Sequence, residues 1–216
     1  MADRRVILAR LTHFGRYLAG WLFILTSAIW LTVHAVWLYQ LTLRTTNVLQ
    51  QVNLSRATMM HNYRYLLAYL DFPWVTKLAL PNFSDSKAGL QHFADVKHLL
   101  MLNNVVLIIT LFITVWGLWR LLKQHRLWEL QLPMQIALPI APILALIMSM
   151  NFNQFFITFH EVLFRNDDWL FDPNRDPIID ALPSSFFLNC FVLFFIIFEG
   201  WLILGWLVGR QAVKAI

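Results

Sequence analysis

The chain has 216 residues, of which 59 % are hydrophobic, 15 % are aromatic and only 13 % are charged. This composition excludes an ordinary soluble domain, in which about a quarter of the residues are charged. The formal charge of +5 does not indicate a nucleic-acid partner, because the basic residues form no stripe and cluster at the ends of apolar stretches.

Four apolar stretches follow one another along the chain, and each has about the twenty residues that an α-helix needs to cross ~30 Å of hydrocarbon. They comprise residues 17–39, 98–122, 133–152 and 184–208, and the longer polar segments between them are residues 40–97 and 153–183. We therefore predict an all-α integral membrane protein with a single domain over residues 1–216. In this prediction, four transmembrane helices carry a small extracytoplasmic helical cap.

The distribution of basic residues predicts the orientation in the membrane. The N-terminal segment, the short turn at residues 120–129 and the C-terminal tail hold nine of the 17 lysines and arginines but only two acids. By the positive-inside rule, both termini and this turn are cytoplasmic, and the two longer polar segments face outward. The first apolar stretch is too long for a cleaved signal peptide and lacks a small-residue cleavage site, so we interpret it as an uncleaved anchor.

The polar segments are predicted to fold into short helices and turns. Ser55 is a suitable helix N-cap, and apolar residues recur from there at helical spacing, which predicts an amphipathic helix over residues 55–70. Pro73 follows that helix and ends it, because proline cannot donate a backbone hydrogen bond. A second helix is predicted to begin near residues 84–85 and to continue through His92 into the second span. Turn-forming residues occupy positions 166–169 and 172–177.

Two histidines are predicted to lie at similar heights on neighbouring helices beyond the membrane. His92 is thirty residues from the cytoplasmic end of its helix, roughly 45 Å, and His160 is twenty-eight residues from the start of the third span, roughly 42 Å. Asp95, three residues after His92, is placed to orient that imidazole. His98 lies about 120° from His92 around the helix, so we expect no metal site. From spacing alone, the favoured interpretation of each is an interfacial histidine bonded to backbone or to a headgroup phosphate.

Two other polar residues lie inside apolar stretches. Cys190 is the only cysteine, so no intramolecular disulfide can form, and we interpret it as structural. Glu199 is an ionisable group in the fourth span, which by default indicates function. Pairing with an arginine or snorkelling toward the cytoplasm is the competing interpretation, and the arginines considered are Arg16, Arg120 and Arg210.

Two groups of sequence strings resemble those of a known family. The first comprises Asn62-Tyr-Arg-Tyr-Leu-Leu-Ala-Tyr-Leu70, Pro81-Asn-Phe-Ser84 and His92-Phe-Ala-Asp-Val-Lys97. The second comprises Phe159-His-Glu-Val-Leu-Phe-Arg-Asn166, Trp169-Leu-Phe-Asp-Pro173 and Pro183 with Phe186-Phe187. In this order, over nearly the whole chain, they resemble the bacterial lipoprotein intramolecular transacylases, four-helix membrane proteins of low-GC Gram-positive bacteria.

The resemblance implies an enzyme that moves the sn-2 acyl chain of a diacylglyceryl-modified lipoprotein to the α-amino group of the same cysteine, giving the lyso-form. The two essential histidines of the family then correspond to His92 and His160, which suits imidazole as a general acid and base near neutral pH. We expect His160 to be the base and His92 the acid, although the roles can be reversed. Candidates for oxyanion stabilisation are Tyr63, Tyr65 and Asn153, and candidates for headgroup contacts are Arg56, Arg64, Arg165 and Trp169.

The expected partners are the lipoprotein substrate and membrane lipids, without a cofactor or nucleic acid. No serine elbow motif is needed, because the substrate supplies both nucleophile and ester on one molecule. Two alternatives remain open: a membrane lipid-ester hydrolase that uses the same histidines, and a non-enzymatic accessory protein. A small transporter is less favoured, since no inverted repeat is found.

Overall fold

The computed structural model describes the backbone of residues 2–214 and the side chains of residues 14–214. This part of the chain is helical and contains no β-strand, which confirms the predicted fold class. Its α-helices are α1 (Ala2–Val33), α2 (Val36–Thr45), α3 (Val48–Gln51), α4 (Arg56–Asp71), α5 (Lys87–Lys123), α6 (Gln131–Ala137), α7 (Ile140–Met150), α8 (Phe152–Leu163), α9 (Ile178–Ala181) and α10 (Ser184–Lys214). A single 3₁₀ turn, Leu127–Leu130, precedes α6.

Four helical segments have the length and apolarity of membrane spans, as predicted. They are Phe14–Val33, Lys87–Lys123, Leu127–Met150 and Ser184–Lys214. Large apolar side chains on these segments are exposed, for example Phe112 at 70 % and Leu146 at 64 %, which suits contact with lipid rather than water. The chain is therefore a multi-pass membrane protein. Its orientation stays a prediction, because it rests on the positive-inside rule alone, and the arginines at positions 4, 5 and 10 that this rule counts lie outside the described side chains.

Two of the predicted spans end earlier or are broken. Helix α1 ends at Val33 rather than continuing to residue 39, so His34 follows the helix and pairs with Asp71 (Nε2 to Oδ2, 2.6 Å). The third span is interrupted before Ile140, where Pro139 lacks the backbone N–H that would continue the helical hydrogen bonds. It ends at Met150, because the backbone of Asn151 is extended and its side chain caps α8 instead.

By contacts, the chain divides into two compact units. The first unit comprises Met1–Thr32, Asn103–Leu146 and Leu193–Ile216. Its core contains Ile24, Met134, Ala137 and Leu202, with tryptophan and phenylalanine side chains packed around them. Of the interpretations of Glu199, a salt bridge with an arginine is not found among the described residues. Instead, Arg120 and Arg210 stack on tryptophans in this unit, at 4.8 and 5.2 Å from the ring centroids.

The second unit comprises Val33–Leu102 and Ile147–Val192 and carries both histidines of interest. Its centre is an aromatic cluster in which Tyr39 stacks on Tyr63 at 4.1 Å and meets the edge of Phe186 at 5.2 Å. The Tyr39 hydroxyl donates to the carbonyl of Ala181 (2.9 Å), which ties α2 to the residues just before α10. The contacts of Tyr39 with Phe186 and Ala181 join segments that are more than a hundred residues apart in sequence.

Helix α4 begins and ends as predicted, because the Ser55 side chain accepts a hydrogen bond from the backbone of Thr58 and the helix stops at Asp71. Asn62, fully buried on this helix, exchanges hydrogen bonds with Asn82. Its amide donates to Oδ1 of Asn82 (2.8 Å), and its own oxygen accepts from the Asn82 backbone (3.2 Å). This amide pair fixes the turn that leads into α5.

Candidate active site

His92 lies in the second turn of α5, and the start of this helix is fixed from both sides. The backbone N–H of Ser86 donates to the buried carboxylate of Asp176 (2.7 Å), and the Ser86 hydroxyl accepts from the backbone of Gly89 (3.0 Å). Five residues after His92, Lys97 donates to two loop carbonyls, at 3.0 and 2.6 Å. These contacts hold the helix turn that carries His92 against its neighbours within the second unit.

His160 lies near the end of α8 and reaches the same place as His92. The two ring centroids are 5.8 Å apart with the planes tilted by 38°, and each residue is only 8 % exposed. The sequence predicted this juxtaposition from helix rise alone, and the structure shows it. Two titratable rings that are this close and shielded from water form the strongest candidate for a catalytic centre in the described chain.

An aromatic shell surrounds the histidine pair. Phe164 contacts both rings, with its centroid 4.8 Å from His92 and 5.7 Å from His160. Trp169 stacks on His160 at 4.9 Å, and Phe171 meets His92 edge-on at 5.5 Å. Sequence reasoning did not identify this shell, although one indication was available. Phe164 lies one helical turn after His160 in the sequence, and residues four apart share a helix face.

The tautomer of His160 is fixed by the backbone. Its Nδ1 lies 2.8 Å from the carbonyl oxygen of Phe156, which can only accept, so Nδ1 carries the hydrogen of the neutral ring. Burial lowers the pKa of His160 below its ordinary value of 6.5, although the bond to Phe156 opposes this shift. Near neutral pH the ring is therefore uncharged, and its Nε2 presents a lone pair that can accept a proton.

His92 is held differently, and its relation to Asp95 differs from the prediction. Nδ1 of His92 is buried without a hydrogen-bond partner in the described part of the chain. The oxygens of Asp95 instead accept hydrogen bonds from Gln91 (2.9 Å) and Asn166 (3.0 Å). The expected bond from Asp95 to His92 is thus replaced by a bridge to the segment after α8, because Gln91 precedes Asp95 by one helical turn and Asn166 lies opposite it.

A small pocket of about 240 Å³ lies beside Asp95, and neither His92 nor His160 lines it. It shares Phe164 with the aromatic shell, and its other polar lining residues are His98, Arg165 and Asn166. The pocket contains a carboxylate, an imidazole and a guanidinium next to an apolar wall. It can therefore receive a polar group of either charge that is attached to an apolar molecule.

The other predicted site residues lie at varying distances from the pair. Tyr63 is buried in the cluster with Tyr39, where burial raises the pKa of its hydroxyl, and it makes no ring contact with either histidine. Tyr65 is half-buried and Asn153 is exposed, and in the described structure no hydrogen bond joins them to the pair. Of the four headgroup candidates, only Trp169 contacts His160, while Arg165 lines the small pocket.

The remaining two candidates, Arg56 and Arg64, are exposed on α4. They make no ion pair among the described residues. They are open to a soluble or headgroup anion but show no preformed site. Their assignment to the substrate therefore stays a prediction.

Comparisons with known proteins agree on one family. The sequence model of the family described as lipoprotein intramolecular transacylase Lit matches residues 15–187 of the chain. Among solved structures, the membrane-integral lipoprotein intramolecular transacylase Lit from Bacillus cereus is similar at 30 % identity and a TM-score of 0.89. That alignment covers 96 % of this chain and 97 % of the other. The comparison with curated proteins gave no match.

Two further structures of the Bacillus cereus protein carry a replacement of one histidine. The arginine variant is 28 % identical with a TM-score of 0.80, and the alanine variant is 29 % identical with a TM-score of 0.82. Each alignment covers 99 % of this chain and 97 % of the other. The similarity thus extends over all four spans and both compact units, and is not confined to a single motif.

Proposed function

Because the chain belongs to the lipoprotein intramolecular transacylase family, an acyltransferase family of membrane enzymes, we propose that it converts diacylglyceryl-modified lipoproteins into the lyso-form. In this proposal, the sn-2 acyl chain of the N-terminal cysteine moves to the α-amino group of that same cysteine. The observation that carries the proposal is the buried contact between His92 and His160, two imidazoles 5.8 Å apart inside an aromatic shell.

His160 acts as the general base. Its Nδ1 hydrogen is engaged by the carbonyl of Phe156, so Nε2 is the accepting atom, and burial keeps the ring uncharged. The α-amino group, with an ordinary pKa near 7.7–8.0, needs little activation to attack the ester carbonyl. As the C–N bond forms, Nε2 of His160 takes the proton that the nitrogen loses, a type of step that typically contributes roughly 10²–10⁴-fold.

His92 acts as the general acid. As the C–O bond of the ester breaks, the proton that His160 has taken passes to His92, and His92 delivers a proton to the departing glyceryl oxygen, so that the products are an amide and a free hydroxyl. Its buried Nδ1 has no partner among the described residues, and a substrate oxygen placed there would supply one. The net reaction moves one proton from nitrogen to oxygen, and proton exchange within the pair restores both imidazoles.

The small pocket beside Asp95 holds the polar end of the cysteine residue. The carboxylate of Asp95, held by Gln91 and Asn166, attracts the α-ammonium group before it loses its proton. Arg165, in the same lining, is available to the peptide carbonyls that follow the cysteine. By the positive-inside rule this site lies at the extracytoplasmic face, where lipid-modified cysteines are anchored.

Mass spectrometry tests this proposal on purified enzyme with a synthetic diacylglyceryl lipopeptide. His160→Asn and His92→Asn should each reduce formation of the N-acyl lyso product by at least about 10²-fold. His61→Asn, an exposed histidine on α4, is the matched control and should leave the rate unchanged. Wild-type activity in folded His160→Asn protein would refute the proposal. Release of free fatty acid by the wild type without amide formation would instead identify the hydrolase.

A further inference from the structure

A cavity in the first unit of the described chain contains neither histidine of the proposed site in its lining. Its volume is about 1660 Å³, larger than the roughly 300–1,000 Å³ typical of pockets for drug-sized ligands. The residues that line it come from the middle of α1, the last turns of α5, the segment after α5, the first turns of α6 and the end of α10. It therefore has room for a ligand larger than a small metabolite.

The polar lining of this cavity is positively charged. It contains Arg16, Arg120 and Arg126 but only one acid, Glu129, so the lining carries two more positive than negative charges. Glu129 is already engaged by an ion pair with Arg126 and by the hydroxyl of Tyr17 (3.4 Å). The amides of three glutamines, at positions 124, 131 and 135, add further donors. This arrangement suits an anion with several acceptor oxygens.

The apolar lining indicates what the anion is attached to. Trp21, Trp116 and Trp128 line the same cavity, and the guanidinium of Arg120 stacks on the ring of Trp116 at 4.8 Å. Tryptophan settles at the level of lipid headgroups, where an apolar body and a polar edge are both satisfied. Basic pockets between membrane-spanning helices on the cytoplasmic side are suited to anionic lipid headgroups. A soluble phosphate would use the arginines but would leave the apolar surface of the tryptophans unused.

We propose that this cavity binds the phosphate headgroup of an anionic phospholipid, with Arg16 and Arg120 contacting the phosphate and the tryptophans packing against the glycerol and upper acyl chains. The proposal is independent of the transacylase chemistry, since every lining residue belongs to the first unit and both histidines belong to the second. By the predicted orientation the lipid is drawn from the cytoplasmic leaflet, opposite the leaflet of the lipoprotein substrate.

The experiment measures lipid binding to the full-length protein in detergent by native mass spectrometry. Phosphatidylglycerol is compared with phosphatidylcholine of the same acyl chains and with sn-glycerol 3-phosphate, which carries the phosphate without the chains. We expect one phosphatidylglycerol site that binds more tightly than the other two ligands. The double variant Arg16→Gln/Arg120→Gln should weaken it about 30-fold, because each basic residue near an anionic surface contributes about fivefold.

The matched control is Lys123→Gln/Lys214→Gln, which removes the same charge from exposed lysines outside the cavity and should leave binding unchanged. If the double arginine variant does not fold, Arg120→Gln is measured alone, and its affinity for phosphatidylglycerol should fall about fivefold. Equal binding of the two lipids, or no loss in a folded arginine variant, would overturn the proposal. Binding of sn-glycerol 3-phosphate as tight as that of the lipid would also overturn it, in favour of a soluble phosphate site.

Discussion

Trp169 should control both the protonation and the placement of His160. The indole stacks on the imidazole at 4.9 Å with the planes 29° apart, and it supplies part of the burial that lowers the pKa of His160. In Trp169→Ala that side of the ring meets water, so the charged imidazolium is less penalised and the pKa of His160 rises toward 6.5. The base then becomes protonated, and inactive, at a higher pH than in the wild type.

The size of the rate effect follows from the lost contact. An aromatic pair of this geometry contributes about 0.5–1.5 kcal/mol beyond its buried area. If that energy holds the base in position, its loss lowers transfer of the acyl chain about 2- to 13-fold at a pH where the ring is neutral. Trp169→Phe keeps an aromatic ring beside His160. We therefore expect this variant to keep most of the wild-type rate and a pKa of His160 close to the wild-type value.

NMR titration of ¹³Cε1-labelled histidines is the assay for the pKa, because the pH–rate profile alone is ambiguous. The substrate amine titrates near 7.7–8.0 and dominates the acidic limb of the rate. His160→Asn assigns the resonance, and Trp74→Ala is the control, since Trp74 is 72 % exposed and stacks on Phe72. A pKa of His160 that stays unchanged or falls in Trp169→Ala would refute the argument that burial by this ring sets it.

Three further substitutions test how the site is supported, each by thermal unfolding in detergent. Asn62→Ala should cost about 1–3 kcal/mol, and a double-mutant cycle with Asn82→Ala should show coupling of about 0.5–3 kcal/mol; additive effects would contradict the amide pair. Burial and the neighbouring Asp176 raise the pKa of Asp85 above 3.8, which disfavours its ionised form in the folded state. Wild-type stability should therefore fall as pH rises from that value, and Asp85→Asn should flatten the dependence; an identical pH profile would contradict it. Lys97→Met keeps the side-chain stem but loses two bonds to loop carbonyls, so we expect a loss of about 2–4 kcal/mol, and wild-type stability would exclude this role.

The sequence predicted features that follow from local residue chemistry and from the regular geometry of helices. The four spans, the N-cap at Ser55 and the meeting of His92 with His160 all follow from apolar length, capping chemistry and helix rise. Contacts that depend on irregular backbone were not predictable. The break at Asn151 required knowing that its side chain would cap a new helix, and the bridge from Asp95 to Asn166 joins residues 71 positions apart across a turn. Spacing along α5 suggested His92 as the partner of Asp95, but the carboxylate of Asp95 instead accepts a hydrogen bond from Asn166 in the segment after α8.

The aromatic shell keeps water away from the histidine pair, which the two imidazoles alone cannot do. An imidazole base placed beside an ester activates water as readily as an amine, so an intramolecular transacylase must keep water from the acyl carbonyl. Phe164, Phe171 and Trp169 enclose the pair and leave each histidine only 8 % exposed. An amine that arrives covalently attached to its own ester has an effective concentration which dilute water in such a site does not match. In the proposed mechanism, the shell therefore favours aminolysis over hydrolysis by keeping water away from the histidine pair.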